Sequence, residues 1–139
     1  MVDGIDASRF GESLQGHVAE LGLRYTQHGQ DWVELAFDYN PRFAIMPDSG
    51  ILSSGPIVSL IDSASGLAIM VKIKRYRPLA TLDLRVDYMR ASPPGRTIIA
   101  RATCYHVARN VAFVRCEAHD GDPDDLVALS MSSFFFTAE

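Results

Sequence analysis

Gly55–Val71, GPIVSLIDSASGLAIMV, decides the fold. Ile57, Val58, Leu60, Ile61, Ala64, Leu67, Ala68, Ile69, Met70 and Val71 place apolar side chains on nearly every side of a helix. A helix that is apolar all round has to be buried. Pro56 suits its first turn, where a missing N–H costs nothing, and Ser53 or Ser54 can cap the start by accepting a hydrogen bond from a free backbone N–H. Gly66 in the interior costs about 1 kcal/mol against alanine, which predicts close backbone packing there. The apolar run reads as too short to span a bilayer.

Working outward, Asn40–Ser54 contains Pro41, Pro47 and Gly50 and reads as a loop leading into the helix. Before it, Leu21–Tyr25 and Trp32–Tyr39 are strand-like, joined by the polar turn His28-Gly29-Gln30-Asp31. Val33, Leu35 and Phe37 alternate with Glu34, Ala36 and Asp38, the pattern of a hairpin with one buried face. Ala7–Glu20, with Phe10, Leu14, Val18 and Ala19, reads as a short amphipathic helix within an N-terminal helical segment, residues 1–20.

After the helix, Leu82, Leu84, Val86 and Tyr88 alternate with Asp83, Arg85, Asp87 and Met89 in the strand Thr81–Arg90. Pro93-Pro94-Gly95 turns the chain into two long β-rich runs, Thr97–Val107 and Val111–His119. Asp120-Gly121-Asp122-Pro123 turns it again before Leu126–Thr137, and the four runs read as one antiparallel meander. A single sheet covers an all-apolar helix only by curling around it. The expectation is therefore an α+β domain spanning residues 1–139, a curved antiparallel sheet wrapped around one long buried helix at about 55–71. Such a sheet needs further cover, which predicts a homodimer or a dimer of dimers, with Phe134, Phe135 and Phe136 contributing.

With 47% hydrophobic and 22% charged residues the chain has the composition of a globular protein, and disorder is excluded. A net charge of -4 and a pI near 5.5 argue against nucleic-acid binding, which needs a concentrated basic surface. The one basic cluster, Lys72, Lys74, Arg75 and Arg77, reads as a solvated loop after the helix. Cys104 and Cys116 lack CxxC spacing and read as reduced, semi-buried hydrophobes. The start, MVDGIDASRF, has no basic region followed by an apolar run, so a cytoplasmic location with no membrane partner is expected.

Asp62 breaks the apolar pattern of the helix. Burial disfavours the charged form of a carboxylate, and a desolvated carboxylate that stays ionised is a strong base or nucleophile. Its bland role is to face solvent or to be satisfied by Ser59, Ser63 and Ser65, each of which alone reads as a helix serine bonding back to the chain. His17, His28, His106 and His119 show no metal-ligand spacing, and none stands near Asp62 in sequence; no metal is expected. GxSxG, P-loop and dinucleotide patterns are absent.

GILSSGPIVSLIDSASG (50–66) followed by TLDLRVDYMRASPPG (81–95) resembles the hotdog-fold thioesterases of the 4-hydroxybenzoyl-CoA and phenylacetate-degradation type, over about Leu21 to the C-terminus. The resemblance implies an acyl-CoA thioesterase acting on a small to medium or aromatic acyl group. It puts Asp62 on the catalytic acid, as general base or as nucleophile. Gly50 and Gly55 fall on loop glycines, and Ser54 on the position whose backbone N–H polarises the thioester carbonyl. Thr81 falls on a strand position that often carries a positioning hydroxyl, contributed across the dimer interface. Ser53, Gly55, Ile57, Val58, Ile61 and Arg90 are expected to contact substrate, and Lys72, Lys74, Arg75, Arg96 and Arg109 join Arg90 as candidates for the CoA phosphates. No cofactor is implied, coenzyme A being the leaving group. The chain departs from the pattern at Ser53, usually His, at Ser54, usually Gly, and at Pro47, often Asn or Gln. Loss of the histidine suggests an alternative, a noncatalytic acyl-CoA-binding module. A dehydratase or hydratase of the same fold would need a histidine paired with the acid.

Overall fold

The computed structural model describes residues 5–12 and 14–139. One long helix, α2 (Ser54–Ile73), lies against a six-stranded antiparallel sheet. Its strands are β1 (Arg24–His28), β2 (Trp32–Phe37), β3 (Leu79–Tyr88), β4 (Ile98–Val107), β5 (Val111–His119) and β6 (Ala128–Phe136). The order across the sheet is β1-β2-β4-β5-β6-β3. The expected meander therefore holds for β4, β5 and β6, whereas β3 crosses to the far edge and pairs with β6.

The core is built from α2 and the inner face of the sheet. Leu60, Ile61, Ala64, Ala68 and Ile69 are fully buried, against Val33, Leu35 and Phe37 of β2 and the alternating inward residues of β4, β5 and β6. Side chains one apart on a strand point to opposite faces, so Phe134 and Phe136 turn into this core and Phe135 points out. That corrects the expectation that all three serve an interface. Arg77 is likewise no loop charge: it lies 4.0 Å over the Phe136 ring and donates to the Ala138 carbonyl at 2.8 Å. At 20 residues and mean hydropathy 1.5, α2 is long and apolar enough to cross a membrane, contrary to the sequence expectation, yet it serves as the core helix of the sheet.

The N-terminal segment is not one helix. It forms a 3-10 turn, Ala7–Arg9, and a six-residue helix, α1 (Gly16–Leu21), with the rest of residues 1–20 either irregular or outside the described residues. Gly11 and Gly16, both with positive φ, interrupt the helical pattern.

Candidate active site

Two elements converge on the N-terminal half of α2. The loop before it folds back on itself through an Ala44–Leu52 bridge, and Tyr39 donates to the Gly50 carbonyl at 2.8 Å. Ser53 is the N-cap, but its hydroxyl donates to the Phe43 carbonyl at 2.9 Å and its N–H to the same oxygen at 2.8 Å. The serine therefore ties the loop down and does not cap the helix. Pro56 has no N–H, so the open donors at the start of α2 are the amides of Ser54 and Gly55, and among the described residues neither has an acceptor. Both residues are exposed.

Strand β3 supplies the other side. Thr81 pairs with Phe134 and Asp83 with Ser133, which leaves Leu82 as a bulge. The bulge switches the alternation: Leu84 and Val86 share a face with Ser132 and Ser130, and on the other side of the bulge it is Thr81, not Leu82, that turns toward α2. Leu82 is left 59% exposed, contrary to its place in the alternating pattern. Thr81 Oγ1 donates to Asp62 Oδ1 of the same chain at 2.7 Å. Asp62 itself is half-buried on the open side of α2, so the expectation of a carboxylate sunk in apolar surroundings is corrected.

A cleft of about 260 Å³ opens beside the helix start, with Ile51, Leu52, Ser54 and Ile57 on one wall and Tyr88, Arg90 and Ser92 on the other. Ile57 and Ser54 thus meet as expected. Val58 is half-buried one position on, but Ile61 is fully enclosed in the core and is not among the residues lining this cleft. Arg90 borders the cleft with its guanidinium already engaged, donating to Asp120 at 2.7 and 3.0 Å and to Asp125 at 3.1 Å. Those bonds raise the arginine above its ordinary value, and the same bonds, with one from Ser92, hold Asp120 down at about 2. Arg90 is a clamp between β3 and the β5–β6 turn, and it lines the cleft with those bonds in place.

The remaining basic candidates separate by position. Lys72 and Lys74 lie at the far end of α2, roughly 30 Å from Ser54 for a helix of this length. Arg75 and Arg109 are exposed at that same end, where the Arg109 carbonyl accepts from Arg77. Arg96 lies at the cleft end, close to Gly121 and Asp120.

Other chemistry finds no support in the geometry. Cys104 and Cys116 are fully buried, and burial pushes both thiols up, away from the thiolate a nucleophile needs. Among the described residues no three His, Cys, Asp or Glu side chains cluster to hold a metal ion. A second hollow, about 410 Å³, lies on the outer face of the sheet among Arg101, Thr103, Tyr105, Arg115, Glu117 and Met131. It is separated from Asp62 by the whole sheet, and its arginines are paired with Glu34 and Glu117.

One contact was not legible in the sequence. His17 Nε2 lies 2.8 Å from Ser59 Oγ, which sets a histidine on α2 one turn before Asp62 although the two are far apart in the chain. No local spacing signals it, because the pairing depends on where α1 is folded.

This arrangement, a half-buried helical carboxylate with a strand hydroxyl and a helix N-terminus with open amides, agrees with a sequence profile described as the thioesterase superfamily, which matches residues 49–127. The chain belongs to the thioesterase superfamily. It is 30% identical over 117 residues to the medium/long-chain acyl-CoA thioesterase YigI of Salmonella typhimurium, covering 73% of this chain and 74% of that one. Among solved structures it superposes on a Pseudomonas aeruginosa protein with a TM-score of 0.81 at 32% identity, over 93% of this chain and 95% of the other. The phenylacetic acid degradation protein PaaI of Thermus thermophilus superposes with a TM-score of 0.74 at 26% identity, over 86% and 96%. This thioesterase has the hotdog fold, and it is a thioester hydrolase.

Proposed function

We propose that this thioesterase hydrolyses acyl-CoA, with Asp62 as the catalytic carboxylate and the amides of Ser54 and Gly55 as the oxyanion donors. The observation that carries the reading is the Asp62–Thr81 pair on the open side of the helix whose N-terminal amides are unpartnered. Helix N-terminal N–H groups carry partial positive charge and stabilise the oxyanion without any particular side chain. Serine at 53 and 54 in place of histidine and glycine therefore leaves those donors intact. Asp62 either activates water or attacks the carbonyl to form an anhydride that water then opens; in both routes the CoA thiolate leaves and takes up a proton. No step calls for a metal or a resident cofactor.

The site is completed by a second copy. Ser54 and Asp62 are eight residues apart, about 12 Å along one helix, whereas a reacting carbonyl has to lie about 3 Å from both donor and base. Two α2 helices running antiparallel would set Ser54 of each chain against Asp62 of the other. The edge strand β3 supports such a pairing: one ladder side is unpaired, and Leu82, Tyr88 and Met89 are 59%, 47% and 54% exposed. The similarity to a medium/long-chain thioesterase favours aliphatic acyl groups of that class. Arg96, at the cleft end, is the candidate for a CoA phosphate.

The deciding experiment is thiol release from aliphatic and aromatic acyl-CoAs by wild type, Asp62→Asn, Ser54→Pro and a mixture of the two variants. Proline removes one donor at a first-turn position where it fits, and Ser53, at φ -68 and ψ 159, already has the backbone a following proline demands. Each variant alone is expected to lose at least about a hundredfold in thiol release, and the mixed dimer to recover part of the activity. Full activity of Asp62→Asn would remove the carboxylate from the mechanism. Wild type that binds acyl-CoA without releasing thiol would leave the noncatalytic binding module.

A further inference from the structure

Helix α1 is short, has no side-chain cap at its N-terminus and is held by few contacts. Six residues do not sustain a helix by themselves. Its N-cap Gln15 makes no side-chain bond, and only Val18 and Leu21 turn inward while Gly16, Ala19 and Glu20 are exposed. Gly16 at φ 65 and Gly22 at φ 69 put a left-handed glycine at each end, so the chain turns sharply into and out of the helix. Among the described residues one side-chain hydrogen bond joins it to the remainder of the protein, His17 Nε2 to Ser59 Oγ at 2.8 Å.

Ser59 stands on the outer side of α2, three residues before Asp62 and four before Ser63, so all three share one face. The bond from His17 thus ties α1 to the outer side of α2 within a turn of the carboxylate. Val18 of α1 is half-buried and packs against the core, and Val58, one turn before Asp62 on the same side of α2, is half-buried as well. An acyl group with its carbonyl at Asp62 would start out between these surfaces.

We infer that α1 is a cover for the acyl chain, latched by His17 on Ser59, and that this latch determines how much the enzyme gains from a longer acyl group. The inference rests on the reading of Asp62 given above. A cover adds apolar contact only to the methylenes beneath it, and each buried methylene contributes about 0.8 kcal/mol, close to a factor of four in affinity. A short acyl group ends before the cover begins. His17 is a specificity-determining residue in this scheme and does not touch the reacting atoms.

The test compares kcat and KM for butyryl-, decanoyl- and palmitoyl-CoA in wild type, His17→Ala, Ser59→Ala, the double variant and His17→Gln, whose amide reaches the position of Nε2. For palmitoyl-CoA each alanine variant is expected to lose roughly tenfold in kcat/KM through KM, the size of one hydrogen bond. Butyryl-CoA should stay within about twofold, the double variant should be no worse than the singles, and His17→Gln should recover most of the loss. Equal losses at every chain length, or losses that add in the double variant, would overturn the inference. Amide exchange of residues 16–22 in Asp62→Asn separates this from failure of the catalytic reading, because it needs binding only. Protection that rises with palmitoyl-CoA and not with butyryl-CoA supports the cover; protection unchanged by either overturns it.

Discussion

The two long sides of α2 are made from the same seventeen-residue apolar stretch and do opposite things. On the inner side Leu60, Ile61, Ala64, Ala68 and Ile69 are fully buried members of the core. On the outer side Ser59, Asp62 and Ser63 are half-buried, and two of the three are gripped by residues of distant elements, His17 and Thr81. The inner side stores stability that any tightly packed set of apolar residues of the same volume would supply. The outer side holds hydrogen-bonding groups at defined points along a rigid rod. One helix thus lets the scaffold and the chemistry be altered independently.

That independence predicts how substitutions separate. Asp62→Asn should lower thiol release by at least about a hundredfold, the scale of a lost general base or nucleophile, while thermal unfolding stays within a few degrees of wild type. Ile61→Ala, one residue away, should do the reverse. It removes about 2–5 kcal/mol of stability in urea unfolding, with the kcat of the folded fraction changed little. A large loss of kcat from Ile61→Ala at temperatures where the protein remains folded would break the comparison.

Thr81→Val tests how far the outer side depends on the neighbouring strand. Removing the hydroxyl that donates to Asp62 at 2.7 Å should reduce kcat by about tenfold, and Thr81→Ser should restore it. The smallest expected effect lies at the cleft wall. Asp120 is held at about 2 by its bonds from Arg90 and Ser92, below the ordinary 3.8. A group whose folded value is depressed stabilises the protein above its unfolded value and loses that contribution as pH falls through the folded one. The window is therefore about pH 4 down to pH 2, and the contribution is about 1 kcal/mol once solvent screening is allowed for. Asp120→Asn should flatten that part of the acid limb in equilibrium unfolding and leave neutral-pH activity near wild type.

The sequence was legible where local pattern and burial agree. The span of α2, the strand β2, and Asp62 as the break in an apolar helix follow from periodicity, because the 3.6- and 2-residue repeats of backbone geometry decide which side chains share a face, and β4, β5 and β6 were legible as long β-rich runs. The order of strands was not legible: β3 reads as the start of a meander and lies instead at the far edge, since hydrophobic alternation states which face is buried but not which neighbour is paired.

By itself, then, the sequence determined that a buried helix carrying one carboxylate would be enclosed by an antiparallel sheet. Only the tertiary structure decided which groups meet that carboxylate. A single extra residue at Leu82 turns Thr81 toward Asp62, the loop carbonyl of Phe43 takes the Ser53 hydroxyl and leaves the Ser54 and Gly55 amides open, and Asp120 takes the Arg90 guanidinium. His17 reaches Ser59 across a separation of 42 residues. These are contacts of a few ångströms between elements remote in the chain, and their existence depends on register, bulges and chain crossings that no repeat of residue types encodes.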